Sequence, residues 1–257
     1  MYIIKYSMKT VNHQHIAIPL EFNVACTIYK LSVVEVLQVF INHVKLYNLI
    51  DKTYDEGFSE AIHAIIFYVR AKEQRCRSKA INKCEDTFNN CFHQLYTIAE
   101  PKNSELLMVK KREYAEHAIA TIFEAIERPY TSSDKIYLDE YSYLKLSPDF
   151  CILCEIYNCY PKEYLEYFMG SISLADAHAH KGLKLRYNNF VFDFFTKIAT
   201  GFGRDSPSVH ELSEEELDFY DLMAELPLKL YHIRGVEERF LLLQKVYHLH
   251  YKTMNKH

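Results

Sequence analysis

The sequence predicts a mainly all-α protein: a tandem duplication of a helical unit of roughly 125 residues, each copy preceded by one short β-strand. Three observations carry this. Apolar residues recur with the i, i+3, i+4, i+7 rhythm of helix faces through most of the chain. Only 6 of 257 residues are glycine, which leaves little material for the hairpins of a many-turned β fold or for phosphate-cradling loops. The chain also matches itself at a shift of 128 residues. Residues 1–130 and 131–257 are therefore read as two repeats, packed together as one pseudo-symmetric body.

The match begins in a helical hairpin. Phe22, Cys26, Ile28 and Tyr29 fall on Phe150, Cys154, Ile156 and Tyr157. Without a gap, Glu35, Leu37, Phe40 and Leu46 then fall on Glu163, Leu165, Phe168 and Leu174. That makes eight identities in 25 positions, where composition alone gives roughly one or two. Mismatches are like for like, as in Val24 with Ile152, Ile41 with Met169 and Val44 with Ile172. Phe22, Ala25, Cys26 and Tyr29 form one helical face, and Phe150, Leu153, Cys154 and Tyr157 form its counterpart. Ser32 and Glu35 have the spacing of a capping box that opens the next helix. In the second copy Pro161 takes the first helical position, with Glu163 near the positive helix end. The stripe Val36, Leu37, Phe40, Ile41 and Val44, answered by Tyr164, Leu165, Phe168, Met169 and Ile172, completes each hairpin.

Just ahead of each hairpin the period drops to two. Ile16 and Ile18, like Leu144 and Leu146, point inward from a short strand or an extended loop. His13, His15 and Ala17, or Tyr141, Tyr143 and Lys145, then point outward. Downstream, helices are expected over 61–70, 78–99 and 104–128 in the first copy, and over 189–200, 213–232 and 236–252 in the second. Ile119, Ile122, Phe123 and Ile126 make one clear face, and Leu243, Val246, Tyr247 and His250 another. Pro227 breaks or kinks its helix, and Gly201 ends one in the left-handed conformation.

Composition narrows the class of function. A quarter of the residues are charged and 49% are hydrophobic, which excludes disordered and fibrous chains. The net charge of −4 argues against general coating of nucleic acid, which needs many cationic contacts to phosphate. No apolar run approaches bilayer-spanning length, and the first residues lack the apolar core of a signal peptide. Seven cysteines, an odd number without framework spacing, fit a reduced, cytoplasmic protein.

Several motifs invite chemistry and are better explained by folding. Cys151, Cys154 and Cys159, with His178 and His180, suggest zinc. The repeat, however, puts Cys154 on Cys26 inside an apolar face, and two histidines two apart on a helix diverge. Among the His-x-His pairs only His13 and His15, on a strand, share a face, and no carboxylate or cysteine completes a ligand set. Gly201-Phe-Gly203-Arg204 lacks both the third glycine and the preceding strand of a dinucleotide loop. Ser213 and Glu216 read as a capping box. No residue is assigned to catalysis, cofactor or metal.

Charge has diverged between the copies. Residues 1–130 carry 16 Lys+Arg and 15 Asp+Glu, and residues 131–257 carry 14 and 19. Arg70, Lys72, Arg75, Arg77, Lys79 and Lys83 cluster at a helix junction in the first copy, where they complement a helix C-terminus or form a surface for an anionic partner. Tyr137, Tyr141 and Tyr143 fit no core stripe and suit an interface.

The strand-plus-hairpin unit is similar to the ribbon-helix-helix DNA-binding family, whose paired strands enter the major groove. That resemblance covers only the strand and hairpin of each copy. It implies that His13, His15, Ala17, Tyr141, Tyr143 and Lys145 face bases while amides near Ser32 and Tyr160 meet phosphate, although Pro161 removes one amide. The sequence as a whole points first to a non-enzymatic intracellular regulatory or scaffold protein that binds another protein through its tandem repeat. A DNA-binding regulator is the second reading, and a small enzyme with a site between the repeats the third.

Overall fold

The computed structural model describes residues 16–51, 59–72, 78–103, 107–128, 130–131, 133–183, 187–202 and 213–256. These form a mainly helical protein with one small two-stranded sheet. In the first half α1 (Leu20–Ile28) and α2 (Val33–His43) make a hairpin, followed by a 3-10 turn at Leu46–Leu49. Then come α3 (Ser59–Ala71), α4 (Lys79–Lys83), α5 (Glu85–Ala99) and α6 (Met108–Ala125). In the second half β1 (Lys135–Tyr137) and β2 (Tyr143–Lys145) precede the hairpin of α7 (Pro148–Tyr157) and α8 (Pro161–Gly170). It is followed by α9 (Leu174–His180), α10 (Phe190–Ala199), α11 (Glu214–Tyr231) and α12 (Val236–Met254). No single helix among the described residues is long and apolar enough to cross a membrane.

Both hairpins turn in the same way. Lys30 (φ 53°) and Asn158 (φ 56°), 128 residues apart, are the two non-glycine residues with positive φ among the described residues. Just beyond them, the Leu31 N–H donates to the Cys26 carbonyl at 2.8 Å and the Cys159 N–H to the Cys154 carbonyl at 3.0 Å. This long bond closes a helix C-terminus around a left-handed residue.

The hairpins meet in the core through aromatic rings. Phe40 and Phe168 stack with centroids 4.1 Å apart and planes 13° from parallel. Phe22 packs edge-on to Phe168 at 6.3 Å, and Phe150 edge-on to Phe40 at 6.1 Å. All four rings are fully buried. Polar contacts follow the same exchange. Asp149 accepts the Leu46 N–H at 2.7 Å and faces Lys45 at 3.9 Å, while Glu21, 128 residues before it, accepts from the Ser173 hydroxyl at 3.4 Å. Helix α6 packs on α7, α12 on α1, and α3 on α10. Buried apolar residues of both halves form one continuous cluster.

Helix α11 runs through Pro227 without the break that the sequence allowed; the other local expectations need four corrections. The helix expected over 78–99 is two: α4 ends at Cys84 (φ −115°, ψ 30°), where α5 starts. Ser78 caps α4 while its own N–H donates to the Glu155 carbonyl at 3.0 Å, so contact with α7 sets the direction of α4. Ser32 occupies the N-cap of α2, but it is exposed and its hydroxyl makes no capping bond. Helix α9, seven residues capped by Ser173, occupies a stretch read only as part of the repeat.

The fourth correction concerns the strands. Leu144 and Leu146 are buried as expected, but β2 pairs antiparallel with β1 in the register Lys135↔Lys145, Ile136↔Leu144 and Tyr137↔Tyr143. Ile16 is buried and Ile18 partly so, yet residues 16–18 lie outside any strand. The outer edge of β2 is occupied by a side chain. Gln38 of α2 accepts the Lys145 N–H at 2.8 Å and donates to the Lys145 carbonyl at 2.9 Å, as a neighbouring strand would.

Candidate ligand cavity and interaction surface

The residues singled out in the sequence are only partly brought together. Of the basic junction, Arg75 and Arg77 lie outside the described residues. Lys72 pairs with Glu163 of α8 and sits 4.7 Å over the Tyr68 ring. Lys83 pairs with Glu127 at 2.5 Å. Arg70 lies 5.9 Å from the Phe67 ring centroid, and Lys79 is exposed in the first turn of α4. Two of the four described cations are thus matched by carboxylates, so the positive surface is smaller than the sequence suggests.

His13 and His15 also lie outside the described residues. Tyr141 is 91% exposed at the tip of the β1–β2 hairpin; Tyr143 lies beside Tyr137, with Lys135 4.3 Å over its ring. Lys145 has its backbone engaged by Gln38, and the Tyr160 N–H donates to Glu163 at 2.9 Å. The ribbon in the described residues is therefore β1 with β2, and the Tyr160 amide has an intramolecular acceptor. Cys151, Cys154 and Cys159 are core residues; burial pushes the Cys151 thiol up to about 11 and Cys154 well above its ordinary value.

Helix α11 carries an apolar face on its outside. Leu217, Tyr220, Leu228 (73% exposed) and Tyr231 (68% exposed) are all open to solvent. At 100° per residue they fall within an arc of about 80° and span about 21 Å of helix. The opposite side buries Glu216, Phe219, Leu226 and Leu230, so α11 is apolar on both faces. Acidic residues flank the outer stripe: Glu214, Asp218 and Asp221 are exposed, and exposed Glu225 pairs with Lys229 at 3.2 Å.

Between α9, α11 and α12 lies a cavity of about 400 Å³. Pro227 has no N–H to give the Met223 carbonyl and its ring crowds the preceding turn; both residues line the cavity. Leu226, Leu230, Leu243 and Tyr247 provide apolar wall. The Tyr247 hydroxyl and His178 Nδ1 are hydrogen-bonded at 2.5 Å, and burial, with the charge of Lys181, pulls the His178 pKa below its ordinary value.

The charged lining has one sign. Lys181, Arg234 and Arg239 line the cavity, with no acidic residue among the described lining. Arg239 is 6% exposed. Its Nη2 donates to the Lys181 carbonyl, at the end of α9, at 2.7 Å, and its Nε has no hydrogen-bond partner. No carboxylate pairs with this guanidinium among the described residues.

Sequence reading missed Arg239, but a signal was present. Stepping back four residues from Leu243 along the buried face of α12 lands on this arginine, a cation on an apolar stripe. The α11 stripe was hidden for the opposite reason, because apolar residues on a helix read as core. No protein-family model, curated protein or solved structure matches this chain.

Proposed function

We propose that this chain is a tandem duplication that works by binding: a non-enzymatic intracellular regulatory or scaffold protein whose second repeat docks a basic, amphipathic helix of a partner protein. The carrying observation is the exposed stripe Leu217, Tyr220, Leu228 and Tyr231 on α11. Contiguous exposed apolar surface on an otherwise well-packed protein marks an interaction site, and a helix laid against it would match apolar anchors at i, i+3, i+4 and i+7. Exposed acids along the same helix select a cationic partner. The duplication is supported by the matched positive-φ residues Lys30 and Asn158, and by the exchanged Phe22–Phe168 and Phe150–Phe40 contacts. Packing of the two copies into one pseudo-symmetric body is supported by the single apolar cluster.

The test places a photoreactive residue at position 228 of the full chain and offers a Lys-rich amphipathic helical peptide. Crosslinking should be strong at 228 and absent from the same residue placed at 90, an exposed position on α5. The double variant Leu217→Glu, Leu228→Glu, at two stripe positions outside the cavity lining, should lose at least tenfold in peptide affinity with its melting temperature unchanged. Undiminished binding by that variant would sink the reading.

A further inference from the structure

We infer that the cavity between α9, α11 and α12 binds an organic carboxylate with an apolar body, such as a medium-chain fatty acid. This goes beyond the proposed partner surface and does not rest on it. The first argument is electrostatic. A guanidinium this buried, with one carbonyl acceptor and no carboxylate among the described residues, is costly to hold in a protein. A planar carboxylate is the anion its donor fork matches best. Lys181 and Arg234 add positive charge to the same walls, in the half of the chain whose net charge is negative, so the cation excess is local.

The second argument is shape and polarity. A volume of about 400 Å³ lies in the range of small-molecule sites, which combine apolar walls with a few convergent polar groups. Here Leu226, Leu230 and Leu243 would cover a hydrocarbon chain while Arg239 holds the headgroup. A bare phosphate would leave those walls wet, and an uncharged lipid would leave the arginine unanswered.

The inference is tested on the full chain by calorimetric titration and thermal melting with octanoate, decanoate, decan-1-ol and inorganic phosphate. Decanoate should bind one to one and raise the melting temperature. Each added methylene should tighten binding about fourfold, and decan-1-ol should bind at least tenfold more weakly than decanoate. Arg239→Met should lose at least tenfold in decanoate affinity while melting higher than wild type without ligand, since it removes an uncompensated buried charge. Leu243→Trp keeps the arginine, fills the cavity and should abolish binding, which provides a second variant should the first fail to fold. The inference is overturned if wild type shows no decanoate binding at millimolar concentration, or if Arg239→Met binds it equally well. Phosphate binding as tight as decanoate, or decan-1-ol binding equal to it, would also overturn the assignment.

Discussion

His178 and His250 show how single residues acquire their chemistry from packing. His178 is pressed against Tyr247, and its pKa is lowered by burial and then by Lys181. His250 stacks on Phe219 with centroids 3.8 Å apart, and burial lowers its pKa although Glu216 opposes the shift. Both rings therefore hold a proton less readily in the folded chain than in the unfolded one, where histidine titrates near about 6.5. Their stabilising contribution is present above about pH 6.5 and is lost as pH falls from there through the folded values. Urea unfolding at pH 7.5 and 5.5 should show lower stability at the acid value. The double variant His178→Gln, His250→Gln should lose less over the same interval, and an equal loss would contradict this account. The sequence placed His178 and His180 on diverging faces, and the structure agrees: His180 turns to the Asp176 carbonyl, not to Tyr247. That Tyr247 waits on the other side was not legible, because the contact joins residues 69 positions apart.

At the scale of elements, capping separates helices that were readable from helices that were readable for an incomplete reason. Asn189 accepts the Val191 and Phe192 N–H groups at 3.1 Å each and donates to the Ser171 carbonyl at 2.8 Å. Ser32 makes no capping bond, although its sequence context is the stronger motif. Asn189→Ala should therefore cost about 1–2 kcal/mol, and Ser32→Ala should fall within about 0.5 kcal/mol of wild type, both read from urea midpoints. A larger loss at Ser32 would show that its hydroxyl caps α2 in solution. Helix spans, the reciprocal Ser213–Glu216 capping box and the positive φ of Gly201 were all legible, since each depends on neighbours in sequence. The break at Cys84 was not. Nothing in 78–99 interrupts the helical rhythm, and the direction of α4 is set by its packing on α7, whereas α5 follows α6.

The whole molecule is held by contacts between the halves. Phe22, Phe40, Phe150 and Phe168 form one aromatic nucleus drawn from both hairpins, and removing either half would expose the other's share of it. Lys30 to Glu216 (2.7 Å) and Lys197 to Glu60 (2.6 Å) add ion pairs across the same divide. The full chain should unfold in urea in one transition, with circular dichroism and tyrosine fluorescence coincident. A fragment of residues 1–130 alone should show no cooperative transition. Two separated transitions in the full chain, or a stably folded fragment, would mean that each half carries its own core.

Helix positions, their buried faces, the two matched hairpins and most of their ends were determined by the sequence alone, because amphipathic periodicity and capping act over a few residues. Tertiary structure alone decided that β2 pairs with β1 and leans on Gln38, that α11 keeps an apolar face outside, and that Arg239 is enclosed with no carboxylate beside it among the described residues. Those outcomes depend on which surfaces meet across long stretches of chain. A helix pattern records that a face is apolar but not whether another element arrives to cover it.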